Sequence, residues 1–123
     1  MNSVPVSFGD VYQGMASAQG IIRDEDRHLV LEWQVADSIL GVIKSQLKQA
    51  RIPLPDIEAV QLSDHWFGRG VKITILLSRL DTAVQVPSLD AGRVVLDVAG
   101  KDREAAERFV NGLHDVSKPA ASS

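Results

Sequence analysis

Apolar and polar residues alternate with a period of two along most of the chain, and the period turns helical only near its end. His28 to Ala36 reads HLVLEWQVA. Leu29, Leu31, Trp33 and Val35 fall on one face, Glu32 and Gln34 on the other, which is the pattern of a half-buried strand. Val42 to Arg51 alternates again, with Lys44, Gln46 and Lys48 on one face and Ile43, Ser45 and Leu47 on the other. A loop at Asp37 to Gly41 is expected to join these segments into a hairpin, with Glu32 or Gln34 beside Lys44 or Gln46 on its outer face. Ile52-Pro53-Leu54-Pro55-Asp56 cannot continue a central strand, because its prolines remove two donors and fix two φ angles. The spacing of Ile57, Val60 and Leu62 predicts a helical turn at Asp56 to Ala59, or a bulge, entering a strand that runs to about Asp64. Gly68-Arg69-Gly70 marks a turn into VKITILL, Val71 to Leu77, the most β-branched stretch. A short strand is expected at Ala83 to Val86, stopped by Pro87, and another at Arg93 to Ala99 after the turn Asp90-Ala91-Gly92.

Beyond Asp102, a good N-cap residue, Ala105, Ala106, Phe109, Val110 and Leu113 recur at helical spacing on one stripe. The expected architecture is therefore mainly β: a small antiparallel barrel or two-sheet sandwich of about seven strands, capped by one C-terminal helix. Leu29, Leu31, Trp33, Val71, Ile73, Ile75, Val94, Leu96 and Val98 are its expected core, with Phe109 packed into the open end. Val4, Val6 and Phe8 alternate in the first residues, so 1–14 reads as an N-terminal arm, either an extra edge strand or a loosely docked segment. Residues 15–116 then form the domain, and 117–123, SKPAASS, a disordered tail.

Composition narrows the function. With 123 residues, 45% of them hydrophobic, one domain can build a core without staples. The absence of cysteine excludes disulfides, thiolate zinc sites and cysteine nucleophiles. No apolar run is long enough to span a membrane. The start, MNSVPVSFGD, shows no signal peptide, and the expected location is cytoplasmic. A net charge of −3 gives no long-range pull toward nucleic acid or anionic lipid.

Four features in order resemble the pleckstrin-homology-like superfold, in particular its bacterial and GRAM-like branches. They are Gly20-Ile21-Ile22, then Arg23 to Arg27, leading into Leu29-Val30-Leu31-Glu32; the proline-marked entry Ile52-Pro53-Leu54-Pro55-Asp56-Ile57-Glu58-Ala59-Val60, similar to an I-P-L-x-D-I-x-x-V pattern; Trp66 between the fourth and fifth strands; and a last strand running into one helix, Val94 to Leu113. The resemblance covers Met15 to Val116 and reports barrel geometry rather than chemistry. It implies phosphoinositide binding through Lys and Arg around the first two strands. Here the joining loop, Arg23-Asp24-Glu25-Asp26-Arg27, carries a net charge of −1, and the following strand has no Lys or Arg, so phosphoinositide binding is not expected.

Other chemistry finds no frame. Asp24-Glu25-Asp26 lacks the glycine and ligand spacing of a calcium loop and reads as a solvated turn. His28, His65 and His114 form no metal-binding pair, and no nucleophile elbow or phosphate loop is present. Neither a metal, a cofactor nor an enzyme activity is expected. The segment richest in interaction residues is Trp66, Phe67 and Arg69 with Lys72, where aromatics adjoin glycines and basic groups. Leu76, with Val95, adds an apolar strip on the outer face of its strand, a hint of self-association. The expected function is a non-catalytic protein-interaction or oligomerisation module, acting through a sheet edge or the loops at one end. Its partner is another protein or a second copy, and the alternative is a module for a small anion or lipid headgroup.

Overall fold

The computed structural model describes residues 3–11, 16–37, 47–64, 70–81, 86 and 89–117. Among these residues seven strands precede one helix: β1 (Ser3–Val11), β2 (Ala16–Glu25), β3 (His28–Asp37), β4 (Lys48–Pro53), β5 (Ile57–Asp64), β6 (Val71–Leu77), β7 (Arg93–Val98) and α1 (Arg103–Ser117). The period-two faces become the core as expected. Leu29, Leu31, Trp33 and Val35 of β3, Val71, Ile73, Ile75 and Leu77 of β6, and Val94, Leu96 and Val98 of β7 are all buried. The helical stripe lies over them, with Ala106, Phe109, Val110 and Leu113 buried and Ala105 half-buried against the same cluster.

Every pairing is antiparallel, and the strand order is β4-β3-β2-β1-β7-β6-β5. Among the described residues the strands thus form one continuous sheet rather than two separate ones, and it does not close into a barrel. A meander of β1 to β4 and a second of β5 to β7 meet where β1 pairs with β7 at Ser7 and Asp97. The sheet's outer strands, β4 and β5, are joined by a single 3-10 turn, Leu54–Asp56. So short a connection requires the sheet to curl until its ends approach each other, which encloses one shared core.

This order corrects the reading of the first residues. The arm expected at 1–14 contains β1, which lies in the middle of the sheet between β2 and β7. Val4, Val6 and Phe8 are core residues, and the Phe8 and Trp33 rings meet edge to face with centroids 6.1 Å apart. The expected hairpin also shifts. β3 pairs with β4 from His28↔Pro53 to Trp33↔Lys48, so Gln49, whose amide donates to Glu32 at 3.4 Å, is the cross-strand neighbour of Glu32. Ala50 and Ile52 face inward, whereas Leu47, assigned to the inner face by alternation, is exposed. Lys44 and Gln46 lie outside the described residues, as do 83–85 of the expected short strand, whose last residue, Val86, is buried but lies in no strand. At the entry to β5 the expected bulge is present as a register shift between Ile57 and Ala59, whereas the helical turn lies earlier than expected, at Leu54–Asp56, and 57–59 already belong to the strand.

Two backbone positions shape the central hairpin. Asp26 and Arg27 form its two-residue loop with φ of 51° and 59°, the mirror-image turn whose twist suits a hairpin. Gly20 lies opposite Trp33, where a Cβ would stand 1.8 Å from the Glu32 carbonyl oxygen, so only glycine permits this approach of β2 to β3.

Candidate functional site

An open sheet presents two edges, and the sequence treats them differently. β4, KQARIP, carries Lys48, Arg51 and the terminal Pro53, side chains that discourage further strand pairing. β5, IEAVQLSD, is two residues longer and has neither lysine nor proline. Within the described sheet it pairs only with β6. Its register shift at Glu58 is the kind of local bulge that re-aims an edge.

The surroundings of β5 are fixed at both ends. At its start, the Leu54 backbone N–H donates to the Arg27 carbonyl (3.1 Å), tying the 3-10 turn to the β2–β3 hairpin loop. The Ser78 N–H and hydroxyl both donate to the Asp56 carbonyl, at 2.8 and 3.1 Å. At its far end the Arg103 guanidinium donates to Asp64 at 2.6 Å, joining the last residue of β5 to the first of α1. Helix and edge strand are held alongside each other.

Two cavities of about 310 Å³ each open between these elements. The first lies along Ile57 to Gln61 of β5, with Leu54 and Leu113 completing its wall. The second is lined by Asp24 to His28 and by the same Leu54 and Leu113. The shared leucines make one groove, from the hairpin loop to the middle of the edge strand, with an apolar centre and a charged rim. Arg23 donates to Glu25 at 2.8 Å and also pairs with Glu32. The hydrogen bond from Arg23 is the main force holding the Glu25 carboxyl below its ordinary range, with desolvation opposing it. The same bond raises Arg23, so this pair stays ionised. The His28 Nδ1 lies 2.7 Å from the Asp26 carbonyl and steadies the turn.

Of the residues singled out in the sequence, Trp66, Phe67 and Arg69 lie outside the described residues. Lys72 and Leu76 lie half-buried on the outer face of β6, in register with Asp97 and Arg93 of β7. Neither is among the described lining residues of the groove. The groove residues themselves drew attention in the sequence only as a solvated turn, a proline-marked entry and a helical stripe. Edge status depends on strand order, which no local pattern carries. The one signal available was the contrast of Lys48, Arg51 and Pro53 with the lysine- and proline-free Ile57 to Asp64.

Among the described residues no three His, Asp or Glu side chains are grouped to hold a metal ion. No helix among them is long and apolar enough to cross a membrane. Comparison of the chain with protein-family models, with characterised proteins and with solved structures gives no match.

Proposed function

We propose that this chain is a non-catalytic interaction module of pleckstrin-homology-like type, cytoplasmic, which takes an extended segment of a partner protein beside β5. The observation that carries this reading is the β5 edge itself: a long outer strand without lysine or proline, bordered by a groove against α1. A strand added to such an edge gains main-chain hydrogen bonds, while the adjoining cavity selects its side chains. A second copy of the chain is one partner such an edge admits, and a homo-oligomer would be that form of the same function. The alternative, a small anion or lipid headgroup, finds less support. The second cavity is bordered by Asp24, Glu25 and Asp26, with Arg27 the one Lys or Arg among its described lining residues.

The test is a titration of the isotopically labelled chain with extended peptides selected on it by display. Amide shifts centred on Ile57 to Gln61 and on the turn around Leu113 are expected. Selected peptides that shift only β4 or the outer face of β6, or a selection that yields no binder, would refute the assignment of the edge. A dimeric solution mass whose β5 amides lose exchange protection on dilution would identify the second copy as the partner.

A further inference from the structure

The charges around the groove say which kind of segment it fits. Its described lining includes the acids Asp24, Glu25, Asp26 and Glu58 against the single Arg27. Arg23 engages Glu25, and Asp24 has a partner of its own, so neither enters the argument. Asp26 and Glu58 remain, both exposed and without an ion-pair partner among the described residues. They sit in different parts of the groove, Asp26 at the hairpin loop and Glu58 at the bulge of the edge strand, with the Leu54 and Leu113 surface shared by both cavities.

Asp26 and Arg27 add a second, independent oddity. A two-residue turn with positive φ at both positions favours Asn-Gly or Asp-Gly, yet Arg27 holds φ of 59° with a full side chain at the groove's end. Arg27 sets a positive charge beside Asp26 at that end, whereas the stretch along β5 that holds Glu58 has no Lys or Arg among its described lining residues.

We propose, resting on the reading of β5 as the docking edge, that the occupant is an extended peptide with an apolar anchor and a lysine or arginine close to it in sequence. The anchor sits over Leu54, Ile57 and Leu113, and the cation lies within reach of Glu58. Charge complementarity of this sort sets partner choice and register more than raw affinity.

The probe is a synthetic set of eight-residue peptides with apolar residues at alternate positions and Lys, Gln or Glu at one intervening position. Binding is read by fluorescence anisotropy at low and high salt, and the site by amide shifts. Lys peptides should bind about five-fold tighter than their Gln counterparts, as expected for one exposed ion pair. The advantage should shrink with salt. Glu58→Lys, an exposed change that leaves the core untouched, should reverse the order in favour of the Glu peptides. Glu58→Gln should abolish the preference while retaining binding. Peptides that shift Ile57 to Gln61 with equal affinity whatever the charge would overturn this inference and leave the docking edge standing. Peptides that bind without shifting that edge, or none binding at all, would overturn both.

Discussion

Replacing Gly20 by alanine adds one methyl group at the point where β2 and β3 approach most closely. The new Cβ would stand 1.8 Å from the Glu32 carbonyl oxygen, 2.8 Å from its carbon and 2.9 Å from the Trp33 Cα. All three are main-chain atoms, so no rotamer change relieves the contact. The strands must part by more than about 1 Å, which takes neighbouring ladder bonds from about 2.9 Å to beyond useful length. A buried backbone group left without its partner costs about 1–3 kcal/mol. Overpacking that displaces Trp33, buried against Phe8, adds about 1–3 kcal/mol. Alanine restricts the unfolded chain and returns about 0.4–1 kcal/mol. The net loss is therefore about 1–5.5 kcal/mol, centred near 3, or a melting temperature lower by about 4–22 °C for a domain of this size. Urea denaturation followed by tryptophan fluorescence measures it. Because the clash is with backbone, adding Trp33→Phe should not rescue Gly20→Ala, and the two effects should add or worsen. A midpoint within about 0.5 kcal/mol of the parent, with an unchanged slope, would show that the close approach does not exist. So would rescue by the smaller ring.

Three further outcomes follow from the same geometry. Phe109→Ala should destabilise by about 3–5 kcal/mol in the same assay, since Phe109 is fully buried between α1 and the sheet; a near-unchanged midpoint would mean the helix does not cap the core. Arg27→Gly should stabilise by about 0.5–1 kcal/mol, because it relieves a positive φ while leaving the carbonyl that accepts from Leu54 in place; a loss of stability would show that the arginine side chain holds the turn. Vesicles containing phosphoinositide should sediment no more of the chain than neutral vesicles at physiological salt, given the acids Asp24, Glu25 and Asp26 at the hairpin loop; clear sedimentation lost on changing Arg23 would favour the headgroup alternative.

What could be read in the sequence was what depends on neighbours in the chain. Leu29 to Val35 and Val71 to Leu77 each carry an unbroken alternation, and both bury the predicted face. The stripe from Ala105 to Leu113 did the same for the helix. The β4 segment misled because two phases compete there. In the sequence Ile43 and Leu47 share one phase of the alternation and Ala50 and Ile52 the other, and the pairing of Leu29 with Ile52 decides for the second. Val4, Val6 and Phe8 gave a correct alternation and no hint of position, because a central strand and an edge strand with one buried face look alike in sequence. The groove was hidden for a related reason. Its walls come from Asp24 to His28, Leu54 to Gln61 and Leu113, which only the strand order brings together.

That order also bears on where a partner would dock under the proposed function. Self-association through residues 1–14 would require a free arm, but Ser3–Val11 is held between β2 and β7 with three side chains in the core. Deleting Met1 to Phe8 would remove a central strand and unfold the sheet rather than separate subunits. The outward strip of Leu76 and Val95 is half-buried, and the exposed Ile21, Leu47 and Leu80 lie in three separate segments, in β2, before β4 and after β6. The sheet edges remain. β4 sets lysine, arginine and proline against an incoming strand, each at a different point along six residues. β5 sets none of these, and its one charge within the groove is the carboxylate of Glu58 at the bulge. The two edges thus differ in degree, since β5 has only its bulge and acidic side chains to discourage pairing, and the proposed docking takes it as the more accessible of the two. If β5 is the docking edge as proposed, the groove beside α1 would make it selective, because a strand without an apolar side chain to bury, or with an acid facing Glu58, would gain the backbone bonds and lose the rest.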